Sequence, residues 1–272
     1  MKKLKMILPK LIMFLMSIMF IAPIWMVAVN SIKSKAEANL LGMAFPKDGI
    51  IHLINYFKVI EQGGILRSFM NGLIESTFSV VIIVLAASSC AYILARRKGK
   101  IYNIIFYTFI MGLIIPVAFI PTYLVLNKLN LVNTYAGLIF IFTTYGLPSA
   151  IFLYTGFVKT IPRELDEAAL LDGCNCFRAF FSIILPLLKP VTVTISILSF
   201  IGAWNDTQIP LFFASGDHWA LPLSVYNFYG AHEKSWNLVF ADVIIIILPL
   251  VIIYMIGQKY IVSGMTAGAV KG

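Results

Sequence analysis

Four of the chain's twelve carboxylates, Glu164, Asp166, Glu167 and Asp172, crowd into one short stretch between two long apolar runs. The stretch, Ile161 to Pro190, reads IPRELDEAALLDGCNCFRAFFSIILPLLKP. Acids gathered in this way either make charge-assisted hydrogen bonds to a basic partner or are solvated on an interfacial helix. The local pattern predicts how they are held. Pro162 suits the first helical position, the acids face the positive N-terminal end, and Gly173 offers a C-terminal stop. The resulting helix, about eleven residues, is too short to cross a bilayer. A second helix then places Phe177, Phe180, Phe181 and Ile184 on one face, with Pro186 and Pro190 marking its passage into the next apolar run.

The rest of the chain is built to sit in a membrane. Of its 272 residues, 60% are hydrophobic and 12% charged, and the mean hydropathy is +0.91. No soluble core buries that much apolar surface, so the fold class is an all-α polytopic membrane protein. The formal charge of +9 does not indicate a nucleic-acid partner, because the basic residues lie at the ends of apolar runs and form no stripe with aromatics. Cys90, Cys174 and Cys176 make neither a disulfide framework nor a metal site.

Six transmembrane helices are expected, at about 11–30, 71–95, 101–126, 135–158, 183–204 and 237–257, within a single transmembrane domain covering 1–272. The first has Pro23 inside it and is read as uncleaved, since its apolar run exceeds that of a signal peptide. An external loop follows, with an amphipathic stretch near Leu53 to Ile60. The third span contains Pro116 and Pro121, and the fourth Gly146 and Pro148; breakers at this depth are tolerated where neighbours or water satisfy the freed carbonyls. The fifth is the most polar, with Thr192, Thr194, Ser196 and Ser199 before Trp204 and Asn205. The loop 161–182 and the tail 258–272 lie outside the spans.

Charge sets the orientation. With both termini inside, fourteen of the 21 Lys and Arg residues fall on the cytoplasmic side, among them the Arg96, Arg97, Lys98, Lys100 cluster. The 161–182 loop is then cytoplasmic too. No phosphate-binding GxxxxGK[ST], HExxH or GxSxG motif is present, so no catalytic residue is assigned, and Glu75 and Asp242 are the only acids near the spans. Any energy source must lie on another polypeptide. A channel or an ion-coupled secondary transporter is the alternative that the spans alone permit, and ATP dependence of transport separates the two.

Glu167-Ala168-Ala169, Gly173 three residues on, and Ile183-x-Leu185-Pro186 after nine more fit the EAA signature of permease subunits of binding-protein-dependent ABC importers. Asn55-Tyr56, Asn71, Ala91 to Arg96, Pro121-Thr122-Tyr123, Leu129 to Thr134, Trp204-Asn205 and Gly264 to Gly272 extend this over almost the whole chain, which resembles a MalG-like carbohydrate permease subunit. Asn130 departs from the pattern where a glycine is usual, and Asp242 where a small residue is. The resemblance implies a type I importer architecture in the cell membrane, with a homologous second permease completing a heterodimer, a cytoplasmic ATPase dimer and an extracytoplasmic solute-binding protein. ATP and magnesium then belong to the ATPase, and this chain binds no cofactor or metal. It also implies that Glu164, Asp166, Glu167, Ala168, Ala169, Asp172 and Gly173 form the coupling helix that docks on the ATPase. The tail, represented by Gly264, Thr266, Gly268 and Lys271, reaches the ATPase dimer interface in such subunits; by its composition alone it reads as a disordered end.

A neutral sugar offers apolar C–H faces and hydroxyls that must be paired when desolvated, so aromatic rings flanked by amides and hydroxyls suit it. Thr194, Ser199, Trp204, Asn205, Tyr226, Asn227 and Tyr229 are the candidates for such a path. Any one of the rings taken alone is better explained by an interfacial aromatic belt, which needs no ligand.

Overall fold

The computed structural model describes the backbone of residues 2–47, 49–229 and 235–269, and the side chains of these residues apart from 2–8 and 259–269. Every regular element among them is helical: α1 (Lys2–Ser31), α2 (Lys35–Ala38), α3 (Ile54–Gln62), α4 (Ile65–Arg96), α5 (Lys100–Met111), α6 (Phe119–Lys128), α7 (Tyr135–Val158), α8 (Glu164–Leu171), α9 (Cys176–Ala179), a π-helical turn (Phe180–Ile184), α10 (Leu185–Leu187), α11 (Lys189–Asn205), α12 (Gln208–Phe213), 3-10 turns at Gly216–His218 and Leu221–Asn227, and α13 (Trp236–Ala269). The chain forms two compact units, Met1–Ser68 with Leu221–Pro249, and Phe69–Ala220 with Leu250–Gly272.

The first unit is held by buried amides. Asn55, at the start of α3, donates to the carbonyls of Ser31 (2.8 Å) and Lys33 (2.9 Å) and accepts from Asn237 Nδ2 at 2.8 Å. One side chain thus satisfies backbone groups that the end of α1 leaves open. Lys33 is buried, and its ammonium donates to Asn30 Oδ1 at 3.1 Å and the Gly42 carbonyl at 2.7 Å. Asp242 is fully buried in α13 and accepts from Ser224 Oγ at 2.7 Å, which fastens that helix to the Leu221–Asn227 turn. The acid that departs from the family pattern therefore braces this unit.

In the second unit, α4, α7 and α11 share a core. Ile83, Ala87, Ala91 and Ala95 recur every fourth residue on α4 and bury one face of it against Ala150, Ile151, Tyr154 and Val158 of α7, and Val191 and Ile195 of α11. Alanines at this spacing let helices approach closely, which is what association in lipid relies on. Gly146 serves the same end, because a Cβ there would collide with the Ile83 side chain. At the far end of α4, buried Asn71 donates to the carbonyls of Asp217 (2.9 Å) and Trp219 (3.1 Å) and accepts from the Tyr135 hydroxyl at 2.6 Å. Asn130 has φ 55°, the left-handed conformation that asparagine tolerates better than other non-glycine residues. Its departure from glycine is thereby accommodated.

Four helices are long and apolar enough to cross a membrane: Pro9–Ser31, Ile65–Arg96, Tyr135–Val158 and Trp236–Gln258. They correspond to the first, second, fourth and sixth expected spans. The expected third span, 101–126, is not one helix. It divides into α5 and α6, and twelve residues of α5 reach only about 18 Å against a hydrocarbon core of about 30 Å. Pro116 supplies the reason: it has no N–H to donate and disfavours helix at the residue before it. The expected fifth span, 183–204, is bent as well. Cys176–Leu187 and Lys189–Asn205 meet at 77°, where Pro186 and Pro190 interrupt the hydrogen-bond ladder and the π-helical turn loosens it. The sixth helix runs further than expected, through Ala269. The small residues of the tail include no proline, so nothing in its covalent structure stops the helix. The backbone of Met265–Ala269 continues this helix, where composition alone indicates a disordered end.

Candidate functional site

The eight residues of α8 sort their side chains by helical geometry. Positions 164, 167, 168 and 171 share one face, with 166 and 169 on the other. The first face is solvent-exposed: Glu164, Glu167 and Ala168 are open, and Leu171 is 89% exposed. Beyond the turn, Asp172 and Gly173 are exposed too, as is Phe177 at 77%. Glu164, Glu167 and Asp172 make no side-chain hydrogen bond or ion pair among the described residues. Gly173 turns the chain at φ 78°, a conformation that any Cβ would strain. Asn175 then caps the next helix, its Oδ1 accepting from Arg178 N at 2.8 Å.

The other face is fixed to the end of α4. Asp166 Oδ2 lies 2.8 Å from Arg96 Nε, and its Oδ1 accepts from the Tyr92 hydroxyl at 2.6 Å. Arg96 also donates to the carbonyls of Ile161 (3.0 Å) and Pro162 (3.5 Å), while Arg163 returns a longer bond to the Ala95 carbonyl at 3.4 Å. Ala169 is buried at 3% exposure. Of the seven residues expected in the coupling helix, Asp166 and Ala169 thus lie on the inward side, against the subunit itself. Asp166 is one residue from Glu167 in sequence but on the opposite side of the helix, and a guanidinium on α4 claims it.

A cleft of about 310 Å³ opens among α4, α7, α11 and α12. Its polar edges are Ser79, Tyr145, Ser149, Ser199 and Asp206, set among Ile83, Phe142, Leu153, Ile195, Leu198 and Ile209. Ser79 and Ser149 spend hydrogen bonds on the Glu75 and Gly146 carbonyls of their own helices. The hydroxyls of Tyr145 and Ser199 make none among the described residues. Asp206 accepts from Ile209 N at 2.7 Å and so starts α12.

Only Ser199 of the sequence-derived path residues lines this cleft. Thr194 is buried and bonds the Pro190 carbonyl at 3.1 Å. Trp204, 1% exposed, packs edge-on to Phe69 at 5.5 Å and stacks on Phe200 at 5.6 Å. It is a core residue, and its ring meets α4 where Gly72 leaves room. Asn205 is exposed at the end of α11. Tyr226, Asn227 and Tyr229 belong to the first unit, where Asn227 donates to the Gly63 carbonyl at 3.1 Å. Tyr145 and Ser149 escaped the sequence reading although they lie one turn apart beside Gly146 and Pro148. In the tail, Gly264, Thr266 and Gly268 lie on the α13 backbone, and Lys271 is outside the described residues.

The chain is thus helical throughout its described residues, with long apolar helices and a short charged helix tied to the end of one of them. The chain belongs to the family of binding-protein-dependent transport system inner membrane components, whose model matches residues 80–267. It is thus a multi-pass permease subunit of a binding-protein-dependent importer, with the type I permease fold. Among its relatives, the probable starch degradation products transport system permease protein AmyC of Thermoanaerobacterium thermosulfurigenes is 38% identical, over 94% of this chain and 93% of that one. The melibiose/raffinose/stachyose import permease protein MelC of Bacillus subtilis is 36% identical over 92% and 91%. In fold, the chain superposes on a subunit of a bacterial ABC transporter that imports the acidic polysaccharide alginate, with a TM-score of 0.82 over 95% of this chain and 96% of that one, at 22% identity. A channel or an ion-coupled transporter finds no support in this kinship.

Proposed function

We propose that this chain forms one half of the translocation path of an ATP-driven importer for a carbohydrate, an oligosaccharide in particular. The observation that carries the reading is the kinship, over more than nine-tenths of the chain, with permeases named for starch degradation products and for melibiose, raffinose and stachyose. A homologous permease completes the path, an extracytoplasmic binding protein delivers the solute, and a cytoplasmic ATPase dimer carries ATP and magnesium. Six crossings are counted by taking α5 with α6, and the bent pair ending at Asn205, as one span each. Both termini then lie in the cytoplasm, as the charge count favours.

The outward face of α8, with Glu164, Glu167, Ala168 and Leu171, docks on the ATPase together with Asp172 and the turn at Gly173. Leu171 supplies apolar area and Glu167 a charge for a basic groove, while the end of α13 with Lys271 reaches the ATPase pair. The cleft passes the solute: Tyr145 offers a ring and, with Ser199, unspent hydroxyls for sugar C–H faces and hydroxyls. Thr194, Trp204, Asn205, Tyr226, Asn227 and Tyr229 remain candidates for shaping the path from behind or at its mouth.

The test is uptake by the purified complex with its binding protein in proteoliposomes. Labelled raffinose or maltotriose is expected to accumulate, and Tyr145→Ala to change the rate of uptake more than its apparent affinity, since selection lies with the binding protein. Transport of a peptide or an inorganic ion but no carbohydrate sinks the substrate assignment. For topology, an impermeant thiol reagent is expected to label Ser215→Cys and miss Asn175 replaced by cysteine in sealed cells, both in a background free of the native cysteines. Strong labelling at 175 reverses the orientation.

A further inference from the structure

We propose that Tyr92, Arg96 and Asp166 are the joint through which movement of α8 is handed to α4, with Asp166 acting as a positioning residue inside the subunit and not as a contact to the ATPase. The proposal rests on the reading of the loop as the ATPase-docking element. The peptide links on either side of α8 are turns: Thr160 to Arg163 before it, and the left-handed Gly173 after it. Turns transmit little sideways force. The side-chain joint replaces them with an ion pair, a hydroxyl–carboxylate bond and guanidinium bonds to two carbonyls, all converging on the last turn of one helix. The ion pair fixes a distance, and direction comes from the Tyr92 hydroxyl on Asp166 Oδ1 and the Arg96 guanidinium on the Ile161 carbonyl.

Tyr92 adds a second link. Its ring lies 5.3 Å from that of Phe180, so the same residue joins α4 to α8 through its hydroxyl and to the helix after the loop through its face. The lever that begins at this joint is continuous. α4 is unbroken from Arg96 back to Ile83 and Ser79, which line the cleft, a separation of about 26 Å along a rigid helix. A shift of α8 therefore moves two cleft-lining side chains without any intervening hinge.

The experiment uses the full complex reconstituted with its binding protein, measuring sugar taken up and ATP hydrolysed in the same vesicles. Asp166→Asn and Arg96→Gln are expected to lower sugar moved per ATP about fivefold or more, the span of ordinary coupling energies. The ATPase should still co-purify with the permease. Tyr92→Phe should shift the ratio in the same direction by a smaller factor, and the exchanged pair R96D/D166R should recover part of the loss. Loss of the co-purifying ATPase from Asp166→Asn, with an unchanged ratio in the complexes that remain, would make Asp166 an outward contact and overturn the proposal. If Asp166→Asn does not assemble, Tyr92→Phe decides, because it removes a single hydroxyl; an unchanged ratio there overturns the joint. A wild-type complex that accumulates sugar without ATP defeats the functional reading underneath, whereas coupled wild type with unaffected variants defeats the joint alone.

Discussion

The two faces of α8 share eight residues and three acids, yet they are built for opposite conditions. Its inner face has a carboxylate gripped by Arg96 and Tyr92 and an alanine buried beside it. The outer face has Glu164 and Glu167 without side-chain partners among the described residues and a leucine almost fully exposed. Acids adjacent in sequence thus differ in kind. One is fixed to its own subunit, and the others are left open at the end of a helix where a second protein can reach them.

This contrast is sharpest where the two alanines are compared. Ala169→Phe forces a ring into the buried side of α8 and is expected to destabilise the subunit by about 1–3 kcal/mol, the usual cost of overpacking. Ala168→Phe, on the open side, should leave thermal unfolding in detergent nearly unchanged while disturbing ATPase attachment. Equal losses of stability would erase the distinction between the faces. Next in size is Gly173→Val, which puts a branched Cβ at φ 78° and should cost about 1–2 kcal/mol, read as a lowered unfolding midpoint of the detergent-solubilised permease. A midpoint equal to wild type would mean that the turn relaxes freely.

Glu167→Lys is expected to alter the subunit's own stability by no more than about 0.5 kcal/mol, as exposed substitutions generally do. Its effect should appear in the amount of ATPase retained on purification. Retention equal to wild type would leave the outer face without a charge partner. The smallest effect on stability is expected from deleting Gly264 to Gly272, which removes only the end of α13 and the residues after it; stimulated ATP hydrolysis should fall more than assembly does. Unaltered hydrolysis would show that the tail contributes nothing to the ATPase pair.

Much of this was legible in the chain itself. A helix in the loop, its glycine stop, the long apolar helices and the amphipathic α3 follow from local spacing, although the loop helix has eight residues from Glu164 and not about eleven from Pro162, which lies before its cap at Arg163. What escaped depends on partners far away in sequence. Asp166 could be told from Glu167 only by knowing that Arg96, seventy residues earlier, ends beside it. Trp204 reads as a ligand-facing ring until Phe69, Gly72 and Phe200 are seen to enclose it. The break at Pro116 and the bend at Leu188 were signalled by prolines, but hydropathy averages across such positions and reports one continuous run. Tyr145 and Ser149 carry no motif, and they become cleft-lining only because α4 and α11 leave space beside them.

Crosslinking tests the two-faced loop most directly. Single cysteines at 164, 167, 166 and 169, in a background with Cys90, Cys174 and Cys176 replaced by serine, are treated with a short thiol-to-amine reagent in the assembled complex. The expected result is strong crosslinking to the ATPase from positions 164 and 167 and little from 166 and 169. Crosslinks from 166 or 169 as strong as those from 167 would contradict the account.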